Sequence, residues 1–354
     1  MSVLERELLA LERVLARERL CVDACEDGRT SFFTHVGATP KLVPGPWIAH
    51  RELVLTLALA NLSPSQRTAL ARAVRIEWRR EFGVGRSLLE GFSSGLPLGG
   101  TSLAIRPRSD GPTCLYTWGL GAQADVAPCE WMVLRARPEW CGESSRSAPP
   151  LRTLTVRGLE TLDQLGGSVL MLVDTATSAR QLADFVRGRL RLAAHPRFAP
   201  HLDDGDGIQP QVTVLSAESN LVVWPQDALD ASSLHRRRIH TVVVVAGDES
   251  ARLAAERWAA QHPEAYLTAR SPRGRSRRDD DSPEVRLRGP VEVVHAACPG
   301  RLDGDGLLRL LGRAGRPKVL LRGDPEWVRA GLDRLAEDGL TVVARSEGTQ
   351  LGLW

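Results

Sequence analysis

Apolar positions in this chain follow two different periods. In the C-terminal part, runs of consecutive apolar residues at 169–173, 242–246 and 319–321 lead into acidic turns at Asp174, Asp248 and Asp324, and then into stretches with helical spacing. A short apolar run bounded by a turn signal reads as a strand buried on both faces, and the amphipathic stretch behind it as a covering helix. Further strands are expected at 153–156, 212–215, 221–224, 265–268, 291–295 and 340–344, with helices over 178–192, 249–261, 306–313 and 326–337. Such alternation predicts an α/β domain with a mostly parallel sheet covered by helices.

The N-terminal part is patterned otherwise. Leu4, Leu8, Leu11 and Leu15 recur at helical spacing among Glu and Arg, and residues 51–60 read as a second helix. Ser63 as N-cap with Pro64 at the first helical position opens a third helix, expected to run to about Phe82. From Thr101 the pattern changes to short strands at 102–105 and 113–118 around a turn at 107–112, with a third at 131–135. Residues 142–152 have linker composition. The expected organisation is therefore an α+β domain over 1–141, helices first and antiparallel strands after, a linker at 142–152, and a Rossmann-like or P-loop-like α/β domain over 153–354.

Composition changes this picture little. A chain of 354 residues is long enough for two cores, and 43% apolar with 25% charged residues is ordinary for packed domains. The net charge of +3, from 46 basic and 43 acidic residues, gives no strong global field, so nucleic-acid binding has to rest on local patches. Arginine supplies nearly all the positive charge, Lys41 and Lys318 being the only lysines. No stretch approaches the ~18 consecutive apolar residues of a spanning helix, and the N-terminal run is acidic and amphipathic rather than a basic segment ahead of an apolar one. With six scattered cysteines, the expectation is a cytoplasmic or nuclear protein with reduced thiols and no membrane partner.

The most specific motif is the stretch from Arg316 to Glu326, Arg-Pro-Lys-Val-Leu-Leu-Arg-Gly-Asp-Pro-Glu. It resembles the strand-plus-GDP motif of superfamily 1 helicases, notably the viral RNA helicases. Upstream, in order, residues 291–298 stand where the Walker B strand would be, residues 265–270 where the strand leading to the single-strand contact loop would be, and residues 241–247 with the following helix where the P-loop would be. Over 239–345 the chain thus resembles a degenerate RecA-like core. The resemblance implies a nucleic-acid-binding module. The chemistry of that core is missing. Ala246-Gly247-Asp248-Glu249-Ser250 is too short to cradle a phosphate and carries carboxylates in place of a lysine, while Ala296, Ala297 and Cys298 replace the acids that hold Mg²⁺.

Other candidates are weaker. Gly83-Val84-Gly85-Arg86-Ser87 looks like a P-loop fragment but reads better as a helix end. The Asp-Gly-Asp-Gly runs at 204–207 and 303–306 lack the acid an EF-hand loop needs and read as turns. Cys21 and Cys25, with His35 or His50 or with Cys129 and Cys141, form only one zinc-like pair, so structural thiols and no metal are expected. No cofactor is expected either. The basic clusters Arg236, Arg237, Arg238 and Arg273, Arg275, Arg277, Arg278 are the candidate contacts to nucleic acid. The sequence reading favours a catalytically inert accessory or scaffold protein that binds single-stranded nucleic acid or a protein partner. Two alternatives stay open: an enzyme whose crevice is lined by Asp174, Asp248 and Asp324, and a structural protein that self-associates through its N-terminal helix.

Overall fold

The computed structural model describes residues 6, 20–23, 29–36, 46–59, 62–108, 111–140, 151–164, 168–190, 192–202, 221–229, 234, 239–247, 249–262, 265–268 and 286–344. In chain order the first elements are strands β1 (Leu20–Val22), β2 (Thr30–Phe33) and β3 (Trp47–His50), helices α1 (Arg51–Ala58) and α2 (Pro64–Ala71), and strands β4 (Val74–Ile76), β5 (Glu81–Val84), β6 (Ser87–Ser93), β7 (Thr101–Pro107), β8 (Cys114–Thr117) and β9 (Trp131–Arg135). Next come α3 (Val156–Gln164), β10 (Ser168–Val173), α4 (Ala176–Val186), β11 (Leu192–Ala194), β12 (Leu221–Pro225), β13 (Ile239–Val245), α5 (Glu249–Gln261), β14 (Ala265–Thr268), β15 (Arg286–Gly289) and β16 (Glu292–Ala296). The chain closes with α6 (Gly304–Arg313), β17 (Lys318–Arg322), α7 (Pro325–Glu337) and β18 (Val342–Ala344). The fold is mixed α/β, with parallel sheets covered by helices. No described helix is long and apolar enough to cross a membrane.

The chain divides into two units, Met1–Ala148 with Gly300–Trp354, and Pro149–Pro299. One boundary falls inside the expected linker, but the expected 153–354 domain is itself split. The reason is strand pairing. β17 lies parallel between β9 and β18, so residues 318–322 complete a sheet that begins near residue 81. The strand carrying the GDP motif therefore does not continue the sheet of β13 and β16, as a RecA-like order would require.

The discontinuous unit contains two sheets. One has four parallel strands in the order β1-β2-β3-β4; the other has seven, β18-β17-β9-β8-β7-β6-β5, antiparallel from β5 to β8 and parallel from β8 to β18. Side chains alternate between the faces of a strand, and the two faces of β8, β9 and β17 have different partners. Cys114, Tyr116, Trp131, Val133 and Leu320 pack with Leu20, Val22, Phe32 and Ile48 of the four-stranded sheet. Leu115, Met132, Leu134, Val319 and Leu321 pack under Leu307, Leu310 and Leu311 of α6 and Val328 and Leu335 of α7.

Several local expectations are corrected here. The helix from Pro64 stops at Ala71, because Val74 and Ile76 pair with Ile48 and His50 as β4. Gly83–Ser87 is the turn of the β5–β6 hairpin, with Gly85 at φ 56°, and not a helix end. The N-terminal unit also contains a parallel sheet in addition to the antiparallel strands expected of it.

In the continuous unit, five parallel strands run in the order β11-β12-β10-β13-β16. β10 and β13 are almost uniformly apolar and buried, as strands covered on both faces must be. Ala251, Ala255 and Trp258 of α5 cover Leu170, Leu172, Val242 and Val244. Residues 153–155, expected as a strand, precede α3 instead, and the helix after β10 spans Ala176–Val186 rather than 178–192 because β11 begins at Leu192. Arg152 closes the unit: its N–H donates to the His295 carbonyl at 2.8 Å, and its carbonyl accepts from the Ala297 N–H at 3.3 Å.

Candidate functional site

Two of the three acidic turns fall among the described residues, one in each unit. Asp174, at the end of β10 in the continuous unit, accepts hydrogen bonds from the hydroxyls of Thr175 and Ser178 at the start of α4. Asp324 lies in the discontinuous unit, where it caps α7 by accepting from the Glu326 N–H at 2.9 Å. Asp248 is outside the described residues, as are Arg236, Arg237, Arg238, Arg273, Arg275, Arg277 and Arg278. Each described acid thus serves the start of its own helix.

What does converge lies in the discontinuous unit, at the carboxyl ends of parallel strands. Arg135 and Arg322 are register partners at the ends of β9 and β17. By the alternation of faces they follow Val133 and Leu320, on the side that packs against the four-stranded sheet. Two residues beyond Arg135, Arg137 is only 6% exposed, and Arg322 is 4% exposed. Arg301, just ahead of α6, has a side chain 3% exposed, and its Nη1 is 4.0 Å from the equally buried Glu139 carboxylate. Burying a guanidinium group costs several kcal/mol unless negative charge lies close by, and for Arg301 the Glu139 carboxylate supplies it.

Trp118, immediately after β8, holds the group together. The His35 ring stacks on it at 3.7 Å with 15° between planes, and the Arg137 guanidinium carbon lies 3.9 Å from its centroid. Two groups that close to one centroid must cover opposite faces, so the indole is a filled sandwich. Arg135 and Arg301 stand at its margin, at 5.6 and 5.8 Å. Such cation–π contacts stabilise a guanidinium by about 0.5–2 kcal/mol, most when desolvated. The loop that carries Trp118 is pressed against the β6–β7 turn: a Cβ on Gly121 would lie 2.0 Å from the Gly95 carbonyl oxygen. Glycine is required there.

Asp23 supplies the negative side of the site. It follows β1 in the left-handed region at φ 55°, a conformation Asp tolerates better than most residues. Its carboxylate accepts from the Thr34 N–H at 2.7 Å, from the Thr34 hydroxyl, and from the Tyr116 hydroxyl at 3.3 Å. His35 Nδ1 lies 3.1 Å from the Thr34 hydroxyl and 3.5 Å from Asp23. Burial, and then the Asp23 carboxylate, push the Tyr116 phenol well above its ordinary pKa, while Arg135 and Arg322 pull the other way. The phenol stays protonated and donates.

The cysteines are elsewhere in character. Burial pushes the Cys129 thiol up to about 12 and Cys114 still higher, so both are neutral packing groups. Among the described residues no three His, Cys, Asp or Glu side chains gather as metal ligands.

No protein-family model matches the chain, and no curated protein matches it. Among solved structures, it is similar to a protein of unknown function from Enterococcus faecalis V583, at 12% identity and a TM-score of 0.46, over 84% of this chain and 76% of that one.

Proposed function

We propose that this chain is an accessory protein that binds nucleic acid through arginine–phosphate contacts and does not hydrolyse nucleotides. The observation that carries the reading is the convergence of Arg135, Arg137, Arg301 and Arg322 at the carboxyl ends of β8, β9 and β17. The crevice beyond the carboxyl ends of parallel strands is where α/β proteins hold ligands, and guanidinium forks match phosphate oxygens in pairs. The absence of hydrolysis follows from the sequence: of the two lysines, Lys318 opens β17 at the end opposite Arg322, and no P-loop surrounds Lys41.

The test is binding of labelled single-stranded RNA and DNA at two salt concentrations, by wild type and by Arg135→Ala, with ATP hydrolysis followed in parallel. Binding is expected to weaken steeply with salt, to weaken further in the variant, and to proceed without ATP turnover. Absence of binding to either strand, or ATP turnover by the wild type, overturns the reading.

A further inference from the structure

We infer that the side of the discontinuous unit where its two sheets end, carrying Arg72, Arg75, Arg80 and Arg108, is a surface for the phosphate backbone of a single-stranded nucleic acid. The inference rests on the nucleic-acid reading above and gives the strand an open surface, four strands along the sheet from β9. β4 is one edge of the four-stranded sheet and β5 one edge of the seven-stranded sheet. They open on the same side, because β4 lies over β6, the neighbour of β5. A Cβ on Gly91 of β6 would come 2.9 Å from Ile76 Cδ1, and the Arg79 N–H donates to the Gly91 carbonyl at 2.8 Å. Residues 77–80 join one edge to the other. Arg72 ends α2, Arg75 lies on β4, and Arg80 precedes β5. Arg108 reaches back over β5, its Nη2 3.1 Å from where a Cβ on Gly83 would be. All four arginines are exposed, so a ligand needs no cavity to meet them.

The charge on this side is uncompensated. From Arg72 to Arg108 the chain carries seven arginines against three glutamates, an excess larger than the +3 of the whole chain. The glutamates are engaged by other arginines: Glu77 by Arg51, and Glu81 and Glu90 by Arg106. Arg79 is paired with Asp125. Arg72, Arg75, Arg80 and Arg108 have no ion-pair partner among the described residues.

The partner follows from what exposed arginines can gain. Against the scattered carboxylates of a protein, a solvated pair is worth about 0–1 kcal/mol. Against a nucleic acid, each phosphate neutralised also releases condensed counterions, and the gain accumulates along the strand. A lipid surface would in addition be gripped by inserted apolar side chains. Between residues 72 and 108 Val74 is the one large apolar residue that is exposed, since Phe82 and Val84 pack toward the core.

The experiment measures binding of fluorescently labelled single-stranded RNA and DNA to the full chain by anisotropy across a salt series. Wild type is compared with Arg135→Ala and with a triple variant, Arg72→Gln, Arg75→Gln and Arg80→Gln, its fold verified by circular dichroism. Vesicles of anionic lipid and poly-glutamate are titrated alongside. The triple variant is expected to bind about tenfold more weakly at low salt, and its slope of log affinity against log salt to be shallower by about 2. Lysine at the same three positions keeps the charges and is expected to keep the slope; a slope lost in both triple variants overturns the inference. Wild-type binding that the glutamine variant leaves unchanged also overturns it, and leaves the nucleic-acid reading standing. Binding lost in the triple variant and unchanged in Arg135→Ala supports the inference and moves that reading off the buried arginines. Binding of vesicles or poly-glutamate, with no binding of RNA or DNA, overturns both.

Discussion

His201 ends a short helical turn at Ala199–His201 with its ring buried, and that burial lowers its pKa to about 4. Burial also lowers the pKa of His195, His240 and His295 in the same unit. The folded unit therefore binds these protons more weakly than the unfolded chain, whose histidines titrate near ~6.5. Its stability is complete above that pH and is lost as the pH falls toward 4. For His201 alone the loss at pH 4 is roughly 3 kcal/mol. In urea denaturation at pH 7, 6, 5 and 4, His201→Gln is expected to make the fall in midpoint shallower; an unchanged slope would assign the proton uptake to the other histidines. At this same scale, the candidate site was only partly legible in the sequence. Asp174 and Asp324 stand out because they follow apolar runs, yet each is committed to a helix start. The signal for the arginines was present in the same runs. Trp131–Leu134 and Val319–Leu321 each end directly in arginine, and a charge at the end of a strand buried on both faces needs a partner or a ligand. What no periodicity reports is that the two strands are neighbours, or that Trp118 and His35 meet.

Among the elements, α2 shows how far local signals reach. Ser63, Pro64 and Gln66 form a capping box: the Ser63 hydroxyl accepts from the Gln66 N–H at 3.3 Å, and the Gln66 side chain accepts from the Ser63 N–H at 2.9 Å. Ser63→Ala is expected to cost about 1 kcal/mol, read as a lower urea midpoint with an unchanged denaturant slope. A change below a few tenths of that would mean water caps the helix as well. The start of α2 was legible because a cap is a local device. Its end was not, since it is decided by partners far along the chain. Residues 72–82 offer enough helix formers to continue, but β4 gains the Val74 and Ile76 pairings with β3, and Arg79 turns through the left-handed region at φ 63°. Tertiary pairing overrides propensity there. The strands of the five-stranded sheet were easier to read, because burial on both faces leaves unbroken apolar runs.

At the scale of the whole molecule, the division into units depends on the last 55 residues, Gly300–Trp354, returning to the first sheet. Removing them takes away β17, β18, α6 and α7, and uncovers Leu115, Met132 and Leu134. A chain truncated after Pro299 is therefore expected to lose the cooperative unfolding of the discontinuous unit, whereas residues 149–299 expressed alone should melt cooperatively. Calorimetry of the two fragments checks both. Two transitions in the truncated chain would show that β9 tolerates an open edge.

The pairing of β9 with β17 also sets an order in time. A ribosome finishes β9 well before it makes the strand that belongs beside it. At typical synthesis rates the interval is roughly 10 to 40 s. Through that interval an apolar strand presents unpaired backbone groups to every other nascent chain nearby. The most vulnerable moment of this protein's life thus comes during its birth, and expression slowed late in the message should aggregate it more than any substitution at its surface.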